Sequence, residues 1–264
     1  MNKSKNDEIK QVVKEHYGKV AANAFSCCGS GSSPCCGAGD PLIQISERLG
    51  YRPDEIGDIP EGAALGLGCG NPLGLARIKE GDIILDLGSG GGIDCFLASR
   101  KVGPRGKVIG VDMTPEMITR ARRNADSGNY QNVEFRLGDI EALPVESNSV
   151  NLIISNCVIN LSPNKKKVYA EAFRVLKPGG ELSISDIVVY KPLSDEWRQN
   201  LEAFSACVSG AALIDELLEI LRACGFVDVK ITPDPESSRM IKEWYPGSGL
   251  EEYLVSAHIS ARKP

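Results

Sequence analysis

The sequence predicts an α/β fold, a mostly parallel sheet covered by helices on both faces, and three observations carry the prediction. From Gly81 onward, short apolar runs alternate with segments of helical periodicity. The first run, DIILDL, feeds a glycine-rich turn, LGSGGG, as a strand entering a tight turn does. The helical segments also carry start signals, Thr114-Pro115 and Ser162-Pro163, an N-cap residue ahead of a first-turn proline.

Residues 6–24 form an amphipathic helix, with Ile9, Val12, Val13 and His16 or Tyr17 at helical spacing. The stretch SCCGSGSSPCCG and a Gly/Pro-rich region follow, including GLGCGNP up to Pro72. Residues 1–75 thus read as a cap or lid, and 76–264 as the main domain, with 191–225 contributing to its acceptor site. After DIILDL and its turn, Ile93, Phe96, Leu97 and Arg100 mark a helix. KVIGVD is the next strand, followed by a helix from Thr114 to about Ala125. NVEFRL, VNLIIS and ELSISDIVVY are further strands. Between the last two lies a helix opened by Ser162-Pro163 and closed by Lys177-Pro178-Gly179-Gly180. After Tyr190 a charged helix leads to ACVSG, and a leucine-rich helix ends at Gly225. FVDVKITP and EYLVSAHISARK close the sheet.

Composition narrows the function. Lys plus Arg number 30 and Asp plus Glu 35, a net charge of −5, which gives no electrostatic case for nucleic acid or an anionic membrane. The most apolar run, Val150 to Leu161, contains three Asn and is too short to span a bilayer. MNKSKNDEIK has no signal-like apolar stretch, so the expected location is the cytoplasm, where thiols stay reduced. Nine cysteines there point to metal binding or catalysis rather than to disulfides.

LDLGSGGG only partly fits the dinucleotide fingerprint G-x-G-x-x-G: Gly88 and Gly90 match, but the third glycine falls on Ile93. Asp86, just before the turn, would repel a pyrophosphate. It suits a cationic ligand instead, such as the ammonium or sulfonium of S-adenosylmethionine. Asp112 ends the next strand, 24 residues beyond Gly88, where it can accept hydrogen bonds from ribose hydroxyls. Gly138-Asp139-Ile140 follows the third strand, where an acid can meet an adenine amino group. A lone glycine turn is as often merely a tight turn; three acids at strand ends favour a binding site. With LKPGGEL before the fifth strand, residues 80–190 resemble the class I S-adenosylmethionine-dependent methyltransferases. That resemblance implies a Rossmann-like class I methyltransferase sheet, mostly parallel with an antiparallel last strand, plus an N-terminal cap. It implies S-adenosyl-L-methionine as cofactor, held by Asp86, Gly88, Ser89, Gly90, Gly92, Asp112, Met113, Gly138, Asp139, Ile140 and Asn156.

The remaining cysteines speak to the acceptor. Cys157 follows directly on VNLIISN, and open α/β sheets bind ligands at the carboxyl ends of strands. Cys69 lies in GLGCGNP and Cys207 in ACVSGA, both able to fold over the crevice. Any one of them can be read as a small buried hydrophobe, as Cys95 and Cys224 are. Taken in order, GLGCGNP, LDLGSGGGIDC, SNCVINLSP, FRVLKPGGEL and CVSGA resemble the arsenite methyltransferases, from about Tyr51 to the C-terminus. The resemblance implies that Cys69, Cys157 and Cys207 bind trivalent arsenic as arsenite, the small-molecule substrate. It further implies that an upstream cysteine joins the redox cycle with a thioredoxin or glutathione-type reductant, in a monomer. That upstream position holds two pairs, Cys27-Cys28 and Cys35-Cys36; Cys28 is assigned the role, with Cys36 its rival. A three-coordinate arsenic with a lone pair needs no general base, which agrees with a chain whose two histidines, His16 and His258, lie outside any motif. Two alternatives stand beside this: methylation of a small organic acceptor, or a non-enzymatic zinc or metalloid binder. For zinc, the adjacent pairs in SCCGSGSSPCCG lack the spacing of two to four residues usual in structural sites.

Overall fold

The computed structural model describes residues 3–23, 47–60 and 62–264. The stretch holding Cys27, Cys28, Cys35 and Cys36 lies outside these, so the role assigned to Cys28 has no structural account.

The central sheet runs, in spatial order, β3 (Val133–Leu137), β2 (Lys107–Asp112), β1 (Ile83–Leu87), β4 (Val150–Asn156) and β5 (Leu176–Val189), all parallel. β6 (Ala212–Leu213) adds a short parallel pairing to β5. β8 (Leu254–Arg262) lies antiparallel between β5 and β7 (Val227–Asp234), as the expected antiparallel last strand. The alternating pleat explains why β1 is apolar throughout. Ile84 joins the core on one face, while Leu85 and Leu87 join the core on the other. Helices α3 (Ile93–Val102) and α4 (Pro115–Ser127) cover the first face with Phe96, Leu97, Ile118 and Ala121. α5 (Lys165–Val175) and α8 (Ile214–Ala223) cover the second with Val168, Tyr169, Leu217 and Leu221.

A third apolar cluster sits over the carboxyl ends of the strands. α1 (Lys3–Asn23) presses Ile9 and Val13 onto Cys69, Cys157, Cys207, Leu161 and Phe204. Its last turn is tied down by Arg120 of α4, which donates to Ala21 O at 3.3 Å and to Gly62 O at 2.7 Å. The segment around α2 (Pro53–Ile56) also joins the main core: Tyr51 before it, Ile56 in it, and Ala63 and Leu73 after it pack with α3 and α4.

Four local expectations need correction. α5 starts at Lys165 with Asn164 as N-cap, its side chain accepting from Lys167 N at 3.1 Å; Ser162 instead donates to Glu141. β5 begins directly after α5 at Leu176, so LKPGG belongs to the strand rather than to the helix end. The charged helix after Tyr190 is two short helices, α6 (Asp195–Gln199) and α7 (Leu201–Ser205), because Asn200 takes an extended conformation and caps the second. Finally, α9 (Ser237–Trp244) lies between β7 and β8, where the sequence reading placed no helix.

Candidate active site

The glycine turn between β1 and α3 is built from backbone. Gly88 sits at φ +72°, in the left-handed region, and a Cβ there would run into the Val158 side chain. Its N–H and that of Ser89 both donate to Val111 O, at 2.7 and 3.1 Å, binding the turn to the end of β2. Asp112, the last residue of β2, accepts from Gly90 N at 3.0 Å and from Thr114 N at 2.8 Å. Burial pushes its carboxyl pKa up, and those backbone bonds oppose the rise. Each of its oxygens keeps a second lone pair for a ligand hydroxyl.

A cavity of about 330 Å³ opens in front of this turn. Its lining includes Asp86, Gly88, Ser89, Gly90, Asp112, Met113, Asp139 and Ile140, and also Asn156, Cys157 and Cys207 from the end of β4 and beyond α7. α1 lines it with Lys10, Val13, His16 and Tyr17. Lys10 bridges Asp139 at 2.7 Å and Glu141 at 2.9 Å, so the acid expected to meet adenine already has a cationic partner. Gly92 and Gly138 are not on the wall: Gly92 opens α3 at φ +97°, and Gly138 donates to Asp112 O from behind. Cys69 also lies just behind the wall, with its neighbour Gly68 on it.

The three thiols meet at the acceptor end. The Sγ atoms of Cys69 and Cys157 and a carboxylate oxygen of Asp186 all lie within 4.8 Å of one another. Cys207 Sγ donates to the Cys157 carbonyl at 2.8 Å. Cys157 and Cys207 both occupy left-handed backbone, at φ +58° and +62°, which is costly for a residue with a Cβ and here turns both thiols inward. Cys69 is held by its backbone: its N–H donates to Asn156 Oδ1 at 3.0 Å and its carbonyl accepts from Ser256 Oγ at 2.6 Å. All three thiol pKa values are raised. For Cys69 the main cause is burial; for Cys207 it is the contact with Cys157, then burial. For Cys157 the Cys207 contact lowers the pKa, but the Cys69 contact and burial outweigh it. The resting trio therefore holds its protons.

The sequence reading missed several residues in and behind the wall. Asp186, in the interior of β5, accepts from Asn160 Nδ2 at 2.9 Å and from Ile187 N at 2.8 Å, and burial pushes its pKa up to about 6. The half-buried Lys165 stands near it, its own pKa pulled down to about 8 by burial. A charged residue inside the apolar run ELSISDIVVY was the available signal. Tyr17, partly buried on α1, carried no signal beyond helical spacing. His16, given no role from sequence, borders the cavity mouth, so the scarcity of histidine is weaker support than its lack of a motif suggested. Cys95 is buried as expected but also donates to Asp86 at 3.3 Å.

The wall suits a cationic, hydroxyl-bearing ligand such as S-adenosylmethionine. Ser89 Oγ is buried without a hydrogen-bond partner, and none of the ion pairs among the described residues reaches Asp86 or Asp94. Sequence and structural comparisons agree. A family described as "Methyltransferase domain" matches residues 78–225. An arsenite methyltransferase of Halobacterium salinarum is 47% identical over 98% of this chain and 67% of its own length. The human arsenite methyltransferase is 35% identical over 83% of this chain and 58% of its own. The crystal structure of an arsenic (III) S-adenosylmethionine methyltransferase from Chlamydomonas reinhardtii superposes with a TM-score of 0.63 at 32% identity, covering 86% of this chain and 75% of that one. The chain thus spans between 58% and 67% of the length of these two curated relatives. A methyltransferase core with three converging thiols, and relatives of this identity, place the chain in the arsenite methyltransferase family of S-adenosylmethionine-dependent enzymes.

Proposed function

We propose that this chain transfers methyl groups from S-adenosylmethionine to arsenite held by Cys69, Cys157 and Cys207. The observation that carries the reading is the convergence of three buried, protonated thiols in and just behind the wall of the cavity that the glycine turn borders. Arsenous acid is neutral. Each thiol proton leaves with one arsenic hydroxide as water, so three exchanges give an uncharged trithiolate in an apolar pocket. Raised thiol pKa values suit that chemistry, since no thiolate need exist beforehand. Bound S-adenosylmethionine supplies an electrophilic methyl on a sulfonium. The protein's part is to fix the distance and line between donor and acceptor. Asp86 and Asp94 attract the cofactor's cationic end, Asp112 takes ribose hydroxyls, and Asp139 with Ile140 borders the adenine. Tyr17 and Val13 of α1 close the site from water, so the described part of the N-terminal segment acts as a cap.

After transfer arsenic is formally oxidised, and two protein thiols closing to a disulfide return two electrons to it. A thioredoxin or glutathione-type reductant then reopens that disulfide. Cys28 serves as the partner thiol in this reading, and the enzyme works as a monomer in the cytoplasm. No helix among the described residues is long and apolar enough to cross a membrane.

The test is direct. Pure protein with arsenite, S-adenosylmethionine and a thiol reductant is expected to yield methylated arsenic by speciation; no methylated product would sink the reading. One observation favours a second reading, a soft-metal binder: Cys69, Cys157 and Asp186 have the spacing of a metal site. A zinc dication, however, must displace protons these thiols hold firmly. Stoichiometric zinc in protein purified without chelators, with no affinity for S-adenosylmethionine, would favour that reading.

A further inference from the structure

A continuous chain of hydrogen bonds joins the cofactor end of the cavity to the acceptor end. Asp94, in the first turn of α3, is buried and borders the cavity beside Asp86. Tyr51 Oη donates to Asp94 Oδ1 at 2.8 Å. Asn156 Nδ2 donates to that same Tyr51 oxygen at 2.9 Å and to Gly70 O at 2.7 Å. Asn156 Oδ1 accepts from Cys69 N at 3.0 Å. The direction of the chain is fixed chemically. An ionised carboxylate only accepts, so the single Tyr51 proton must point to Asp94 and its lone pair must face the Asn156 amide. That sets the Asn156 orientation, with its carbonyl left for Cys69. Gly68, at φ +126°, lies so close to Asn156 that a Cβ would approach its side chain to 2.9 Å. The loop carrying Cys69 is therefore seated on Asn156.

A cation at Asp86 and Asp94 favours the ionised form of Asp94 and strengthens the charge-assisted bond from Tyr51. Bonds in series polarise one another, so the Asn156–Cys69 link gains as well. We infer that Tyr51 is a positioning residue that couples occupancy of the cofactor site to the seating of Cys69, so that cofactor and arsenite bind with positive cooperativity. Tyr51 is not on the cavity wall and touches neither ligand; it acts through Asp94 and Asn156. The inference rests on the arsenite reading above.

The experiment measures arsenite affinity by calorimetry, with and without saturating S-adenosylhomocysteine, which keeps the ammonium and permits no turnover. Coupling must be reciprocal, so S-adenosylhomocysteine affinity is also measured with and without arsenite. In the wild type the ratio is expected to be about fivefold or more. In Tyr51→Phe, which keeps the ring and loses both hydrogen bonds, it is expected to fall to about one. A merely structural role would weaken each affinity and leave the ratio intact. Should Tyr51→Phe not fold, Asn156→Ser cuts the link at its other end and is expected to uncouple in the same way. Binding of arsenite by the wild type without coupling, or coupling that survives in the variants, overturns the inference alone. A wild type that binds no arsenite under any condition overturns the arsenite reading and this inference with it.

Discussion

The two ends of the cavity are built on different principles. The cofactor end comes from β1, β2 and β3 in succession, and its geometry is fixed by backbone: the turn N–H groups bond Val111 O, and Asp112 is clamped by Gly90 N and Thr114 N. The acceptor end is built from side chains of remote segments. Cys69 comes from a loop before β1, Cys157 from the end of β4 and Cys207 from beyond α7, with Asp186 of β5 beneath them. A backbone-built site tolerates exchange of most side chains but not of its glycines. A side-chain-built site fails on loss of one functional atom while the fold around it survives.

Four variants break or sharpen that contrast, from the largest expected effect downward. Cys157→Ser replaces a soft ligand by a hard one, and methylation of arsenite is expected to fall about a thousandfold or more. S-adenosylhomocysteine affinity should stay within about threefold of the wild type. Equal loss of both would mean the two ends are not separable. Gly88→Val attacks the other end: with φ at +72° and Val158 in the way, the cost is expected to be about 3 kcal/mol of stability. Calorimetry should also show cofactor affinity at least about tenfold weaker; normal affinity would mean the turn is not where the cofactor sits.

The third prediction concerns pH. Burial raises the Asp94 pKa from 3.8 to about 6 in the folded protein, against the bond from Tyr51 and the nearby Asn156 amide. The folded state thus holds this proton more tightly than the unfolded chain. The contribution to stability is complete below the unfolded pKa and is lost as pH rises through about 6. Relative to Asp94→Asn, the unliganded wild type should lose up to about 3 kcal/mol between pH 4 and pH 7. Melting temperatures of the two proteins across that range test it, and a constant difference would refute it. The smallest effect is expected from Lys10→Ala, which removes partly exposed ion pairs to Asp139 and Glu141. Stability should change by less than about 1 kcal/mol, with the S-adenosylmethionine KM shifting a few-fold. An unchanged KM would remove α1 from the cofactor's surroundings.

How much of this could be read beforehand follows the same contrast. The order of strands and helices, the glycine turn and the acids at strand ends were legible because each is a local pattern. Ile84 and Leu85 show it: consecutive apolar residues of a strand point to opposite faces, so a run like DIILDL needs cover on both. The break at Asn200 and the shift of the α5 start from Ser162-Pro163 to Lys165 were not legible, since several polar residues in a row compete for the cap. The meeting of Cys69, Cys157 and Cys207 depends on loops returning over the sheet, which periodicity does not encode; only family resemblance joined them. Asp186, Tyr51 and Tyr17 escaped for that reason. Tyr51 and Tyr17 sit in ordinary turn and helix contexts, and although Asp186 stands out as a charge in an apolar run, the significance of all three comes from what lies across space.

The protonated resting state of the acceptor thiols has a consequence for survival in the cell. Peroxide and electrophilic metabolites attack thiolates far faster than thiols. A trio whose pKa values are all raised, with Cys207 further engaged on a carbonyl, is slow prey for both. Arsenous acid pays no such penalty, because it trades a hydroxide for a thiol and carries the proton away itself. Under the proposed function, the site is thus idle towards oxidative stress and open to arsenite.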